Sequence, residues 1–287
     1  MQPNPQKPNG RPQPVSMDCP NCGKLISTRA ERCIHCGWRR PAVYTTLPLL
    51  GDLVRGEVRV SGRILLACVV LYLLGLLLDT RGALQTGDPF AMLSPSFRAL
   101  EQLGMGGRVP LEQGRPWTLL TATYLHGGLL HILFNMLWLR RMGPLVEELF
   151  GASRFILLYT FAGLAGAALS AALGTPYFVG ASGAVFGLFG ALVAFGLMRR
   201  GEFGRAILRQ SLFFAAFGFF MGLRAPNVDN WGHLGGFLAG LLLAALLGYQ
   251  ERRGQKLGHH LAAFVTLLGV FLCFLFMLVA FFTAGRG

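Results

Sequence analysis

Seven apolar runs, each near the length of a membrane span, set the limits on what this chain can become. They lie near residues 64–79, 118–139, 155–174, 181–198, 206–223, 231–249 and 260–283. Crossing the hydrocarbon of a bilayer takes about 17–25 apolar residues in a helix, and only helices or closed barrels satisfy the backbone there. With 53% hydrophobic and 14% charged residues, an ordinary soluble domain is excluded. The expectation is an all-α membrane protein with seven spans. The fifth run is the weakest, because Arg209 and Gln210 interrupt it. Residues 1–60 hold no apolar core of signal-peptide length, so no cleavable leader is expected.

A formal charge of +13 invites a nucleic-acid reading, but the placement of the basic residues decides against it. With seven spans and the N-terminus inside, 20 of the 26 Lys and Arg fall in inside segments. That asymmetry is the positive-inside pattern. It predicts a multi-pass protein of the cell membrane with a cytoplasmic N-terminus, an outside C-terminus, a lipid bilayer as partner and no nucleic acid.

Residues 1–16, rich in Pro, Gln and Asn, are expected to be a disordered tail. Two Cys-x-x-Cys-Gly elements follow, Cys19 with Cys22 and Cys33 with Cys36. Paired turns of this kind aim four thiolates at one tetrahedral Zn²⁺. Residues 17–40 are therefore read as a zinc-ribbon-like domain stabilised by structural zinc, with room for a cytoplasmic partner. Redox pairs or disulfides are the alternatives, which a reducing compartment disfavours. His35 reads as a bystander, and Cys68 and Cys273 as apolar filler. Residues 41–63 form a basic linker suited to an anionic leaflet.

Between Thr80 and Pro116, Phe90, Met92, Leu93, Phe97, Leu100, Leu103 and Met105 punctuate a polar loop, which suggests interfacial helices. Trp117 and Tyr124 read as aromatic residues at the membrane boundary. The second span carries His126, His131 and Asn135, costly inside a membrane unless they serve function or packing. His131 and Asn135 share a helix face, whereas His126 falls on another, nearer the surface. The stretch has no His-Glu-x-x-His pattern and no carboxylate between Gln113 and Val146, which disfavours a metal there. Glu147 and Glu148 read as forming surface hydrogen bonds or pairs with nearby arginines, with no catalytic role.

Ser182 sits in Gly180-Ala181-Ser182-Gly183 at the head of the fourth span, and His233 near the head of the sixth. Two chains entering from the same side hold their first turns at similar depth, so an alcohol and a base could meet. Gly180, Gly183, Gly187 and Gly190, with Gly232, Gly236 and Gly240, permit close helix approach. A tight packing face explains the glycines equally well. Asp229 and Asn230 read first as N-caps of the sixth span, and Asp229 second as a third member behind His233. Most phenylalanines of the fifth span read as lipid-facing, with a movable wall as the other role. His259 and His260 read as solvated, and the seventh span as scaffold.

Taken in order, the His-x-x-x-x-His-x-x-x-Asn of the second span, Gly-x-Ser-Gly, and Gly232-His233-x-x-Gly236 resemble the motifs of the rhomboid intramembrane serine proteases. The resemblance covers roughly residues 60–250. It implies a six-helix core, here 64–250, followed by a loop and seventh transmembrane helix in 251–287. By that resemblance Ser182 is the nucleophile, His233 the general base, and His131, Asn135 and the Ser182 backbone N–H the oxyanion hole. Phe186 stands where the family stacks a ring, usually Tyr, on the catalytic histidine. Family members usually carry Trp-Arg before the second span. Here Thr118 follows Trp117, and Arg115 is the candidate substitute. No cofactor for catalysis is implied. The implied reaction is cleavage of transmembrane protein substrates in or beside their spans, with a small residue on the acyl side. A catalytically inactive rhomboid-like protein that binds membrane clients is the alternative. A proton-coupled transporter would need acidic residues in the spans around Ser182 and His233, which hold none.

Overall fold

The computed structural model describes residues 16–19, 22–27, 30, 32–37, 59–79, 93–225 and 228–284. Most of the tail and linker, and Phe90 and Met92 of the outside loop, lie outside the described residues. The N-terminal unit is one antiparallel pair, β1 (Ser16–Asp18) and β2 (Leu25–Ser27), with Met17 opposite Ile26.

Ten α-helices follow among the described residues: α1 (Val60–Leu78), α2 (Phe97–Gln102), α3 (Arg108–Glu112), α4 (Thr118–Thr121), α5 (Leu129–Phe150), α6 (Ala152–Ala172), α7 (Ser182–Met198), α8 (Glu202–Arg224), α9 (Asn230–Leu247) and α10 (Leu257–Ala284). Each expected span has a long helix. Five of these, in α1, α6, α8, α9 and α10, are long and apolar enough to cross a membrane on length and composition. The 17-residue α7 is apolar but shorter, and α5 carries Arg140, Arg141, Glu147 and Glu148 on its second half.

The second span is displaced from its expected place. Residues 118–124 form α4 and a 3-10 turn, and the long helix starts only after Gly127 and Gly128. Hydropathy alone could not see this break, because Leu119, Leu120 and Leu125 keep the run apolar while the paired glycines give no helical preference.

α7 is buried on every side, from Ala184 to Gly196, as expected of a helix apolar all round. It packs against α5, α6, α8 and α9. The contact with α9 is made of backbone. A Cβ on Gly236 would lie 2.0 Å from the Gly183 carbonyl oxygen, and one on Gly240 would lie 2.0 Å from that of Gly187. α6 joins the same seam, with Gly166 against the Gly232 carbonyl. Only glycine allows helix axes this close.

The loop before α5 is built, not free. Leu100, Leu103, Met105 and Leu125 form a small core with Met277 of α10. Gly106 and Phe178 exchange backbone hydrogen bonds at 3.1 and 2.8 Å, tying the loop to the segment that enters α7. Arg115 pairs with Glu101 at 3.3 Å, and its carbonyl accepts from Thr118 Oγ1 at 2.7 Å. Arg115 thus braces the loop and Thr118 holds Arg115.

Two expectations are corrected by this packing, and two further residues take partners that the linear pattern did not name. Tyr124 is buried against Tyr159 and Phe274 rather than lying at a boundary. Glu147 forms hydrogen bonds as expected, though not to arginine: its carboxylate accepts from the Val60 and Ser61 amides and the Ser61 hydroxyl and so caps α1. His260 is buried, with Nδ1 2.7 Å from Ser153 Oγ, joining α10 to the start of α6. His259 keeps its contact with solvent, and its Nδ1 accepts from the Lys256 amide at 2.9 Å. In each case the partner is distant in sequence or set by a turn, which a linear pattern does not contain. Arg209 and Gln210 stay exposed on one continuous α8, so they do not break it. Cys68 is fully buried, as filler should be.

The seam yields a paired prediction. Gly236→Ala should destabilise the protein by about 1–3 kcal/mol through overpacking. Gly269→Ala on α10, where an added Cβ meets nothing within 4 Å, should stay within about 1 kcal/mol of the parent. Reversible denaturation in micelles measures both, and equal effects would contradict a backbone seam.

Candidate functional site

The first turns of α7 and α9 meet at the end of the bundle where the loop 93–128 closes over them. Ser182 opens α7 and is half-buried. One turn on, the Phe186 ring lies parallel to His233, with centroids 4.1 Å apart and planes at 13°. Beside them, a Cβ on Gly183 would lie 3.3 Å from the Gly232 carbonyl. The structure therefore brings the Ser182 and His233 turns against one another, as their shared entry side implied. Among the described residues no hydrogen bond joins Ser182 Oγ to the imidazole.

His233 is held from its other side. Its Nδ1 lies 3.2 Å from Asn230 Oδ1. When that oxygen accepts from Nδ1–H, the lone pair resides on Nε2. Asp229 accepts from the Gly232 amide at 2.9 Å and so caps α9. It serves the helix, and Asn230 takes the orienting place considered for it. Phe219 of α8 completes the surround, 6.1 Å edge-on to His233 and 4.9 Å from Phe186. Sequence pattern suggested Asn230 only as a cap beside Asp229, and Phe219 only among the lipid-facing or movable-wall phenylalanines of the fifth span. Asn230 stands three before His233, a helical spacing that could have revealed it.

His131 enters from α5. Its Nδ1 accepts from the Gly127 amide at 3.4 Å, which leaves the proton on Nε2. That nitrogen would lie 2.7 Å from a Cβ on Gly180, and Ser182 Oγ 3.6 Å from the same point. Gly180, at φ 139°, is thus required twice, by its backbone conformation and by the imidazole in the space a side chain would fill. Asn135 is buried, and its amide donates to the His131 carbonyl at 2.9 Å. One of its two N–H groups is used within the helix, and the amide has a second N–H to donate.

His126 corrects another expectation. It precedes α5 rather than riding on it, and its buried ring stands edge-on to His131 at 5.2 Å. The turn at Gly127 and Gly128 folds it back, so helical spacing did not apply.

The four cysteines form a second site. Their sulfurs all lie within 4.8 Å of one another, with Cys19 and Cys36 3.7 Å apart and Cys22 and Cys33 3.8 Å. A tetrahedron with metal–sulfur bonds of about 2.3 Å has edges of about 3.8 Å, so the donor set fits a metal ion. Gly23 and Gly37 make each turn, donating to the Cys19 and Cys33 carbonyls at 2.8 and 2.9 Å with φ near 70°. His35 offers its backbone amide to Cys33 Sγ at 3.4 Å.

Comparison with known proteins places the larger unit. The family model for the Rhomboid domain matches residues 113–250. The chain is 36% identical over 166 residues to Rhomboid protease GluP of Bacillus subtilis, covering 58% of this chain and 32% of that protein. It is 36% identical over 168 residues to RHOMBOID-like protein 5 of Arabidopsis thaliana, covering 57% and 54%. A second Bacillus subtilis rhomboid, YdcA, is 32% identical over 151 residues, which is 52% of this chain and 75% of its own length. The chain spans about a third of GluP and about half of the plant relative. With the matched span enclosing the Ser182, His233 and His131 turns, the chain belongs to the rhomboid family.

Proposed function

We propose that this protein is an intramembrane serine endopeptidase that cleaves transmembrane or juxtamembrane segments of other membrane proteins. Carrying the reading is the meeting of three turns: Phe186 stacked on His233 beside Ser182, with His131 Nε2 and Ser182 Oγ sharing the space that Gly180 leaves open.

The roles follow from the chemistry of these groups. His233, oriented through Nδ1 by Asn230, takes the Ser182 proton on Nε2 as the oxygen attacks a scissile carbonyl. The negative charge that develops on the carbonyl oxygen is met by His131 Nε2–H, the free N–H of Asn135 and the Ser182 amide. Donors fixed in a water-poor site stabilise it without reorganising. His233 then returns the proton to the departing amine, and a water repeats the sequence on the acyl-enzyme. Ser182 is half-buried at a helix start, which supports access of water to it from the outer face. Phe186 keeps the stacking face of the usual tyrosine and lacks its hydroxyl. The glycines and alanines around Ser182 suit a small substrate residue on the acyl side.

The distribution of basic residues supports a topology with this end of the bundle outside and the cysteine unit in the cytoplasm. For that unit we assign structural zinc: four thiolates form the donor set of closed zinc sites, and so small a unit lacks the core to fold on its own. We assign its outer surface to a cytoplasmic partner.

Fluorophosphonate labelling of the purified protein tests the dyad. Labelling should vanish in both Ser182→Ala and His233→Ala, while cleavage of a single-span substrate falls by about 10²–10³ in His131→Ala. A folded protein that neither labels nor cleaves is the client-binding relative, and labelling that survives Ser182→Ala removes the serine from its role.

Elemental analysis of the full chain should give one zinc per molecule, lost in Cys22→Ser/Cys36→Ser. Iron, or no metal with the cysteine unit still folded, would overturn the assignment.

A further inference from the structure

The end of the bundle farthest from Ser182 carries a site that proteolysis does not use. Where α7 hands over to α8, and α9 to the connection before α10, a cleft of about 840 Å³ opens. Its basic lining is Arg199, Arg200 and Arg252, and Glu251 is its single acid. Arg199 pairs with Glu251 across the two connections, so that pair holds the cleft's walls together and cancels in charge. Arg200 and Arg252 are exposed and have no carboxylate partner among the described residues. Tyr249 forms the floor, its ring edge-on to Phe195 at 5.0 Å. The membrane-side rim is apolar, with Leu197 66% exposed and Met198 half-buried.

Two unpaired guanidiniums above an exposed leucine, at the end of a membrane helix, match one amphiphile. Arginine binds phosphate oxygens in a bidentate fork, and basic pockets between helix ends receive lipid headgroups. The surrounding field strengthens the match. Arg154 is fully buried at this end, its Nη2 donating to the Gly254 carbonyl at 3.0 Å while Nε and Nη1 find no acceptor. Arg253 lies close enough to repel it. We infer that the cleft binds the phosphate headgroup of an anionic phospholipid of the adjacent leaflet, held between Arg200 and Arg252 with its acyl chains over Leu197 and Met198.

The test uses the full chain in nanodiscs of phosphatidylcholine, alone or with added phosphatidylglycerol, read by thermal unfolding and by native mass spectrometry of retained lipid. Phosphatidylglycerol should raise the unfolding temperature by several degrees and be retained in preference to phosphatidylcholine. Arg200→Gln/Arg252→Gln should weaken retention by about 25-fold, at about fivefold per arginine, and lose most of the shift. Both side chains are exposed and unpaired, so the variant's unfolding in phosphatidylcholine alone should match the parent. Arg140→Gln/Arg141→Gln removes the same charge from exposed positions outside the cleft lining and should keep the shift. The inference is overturned if the parent shows no shift or the cleft variant keeps it. It is equally overturned if the control pair loses as much, or if inorganic phosphate in phosphatidylcholine discs reproduces the effect. None of these readouts depends on protease activity.

Discussion

Backbone-to-backbone contact between α7 and α9 is the constraint on which the rest of the structure depends. Carbonyls of Gly183 and Gly187 occupy the places that side chains on Gly236 and Gly240 would take. In a bilayer, helices gain little by hiding apolar surface from one another, since lipid is equally apolar. What holds them is close van der Waals contact and polar groups that find partners. Bringing α7 and α9 this near also fixes the depth and rotation of their first turns, and so sets the Ser182 turn against His233. The packing of the two helices and the approach of the two turns are one geometric fact.

Around that seam and beyond it, several polar groups are committed. Asp229 caps α9, Asn230 meets His233, Gly127 meets His131, and Glu147 caps α1. An unpartnered polar group in a membrane costs several kcal/mol, so each commitment narrows the rotamers open to its neighbours. His131 has one ring nitrogen occupied by a backbone amide, and the other is thereby given a proton and a direction. Glycine serves a different end at Gly180, where absence of a side chain admits an imidazole.

α10 lies outside the matched span of residues 113–250 yet reaches the loop over the site. Met277 enters the loop's small core, Phe276 meets Trp117 at 5.5 Å and Phe274 meets Tyr124 at 5.4 Å. At its other end, His260 and Ser153 join it to α6. The helix is mostly exposed to the surroundings, so these points of contact are what position it. It is scaffold for the loop as much as for the bundle.

What the sequence determined by itself was whatever depends on composition, period or short spacing. Apolar length gave the long helices, the doubled Cys-x-x-Cys gave four sulfurs in one cluster, and glycines at three- and four-residue spacing gave a close helix contact. Ordered motifs named the residues at its head. Tertiary structure alone decided the rest. The late start of α5 followed from a turn at Gly127 and Gly128 inside an apolar run. The partners of Glu147, His260 and Tyr124 came from helices far along the chain. Asn230, rather than Asp229, faces His233 because a capping residue leaves helical spacing while the next one keeps it. Hydrophobic period records which face of a helix avoids water. It carries no information on which of several equally apolar faces will be its neighbour, and in a membrane nearly every face is apolar.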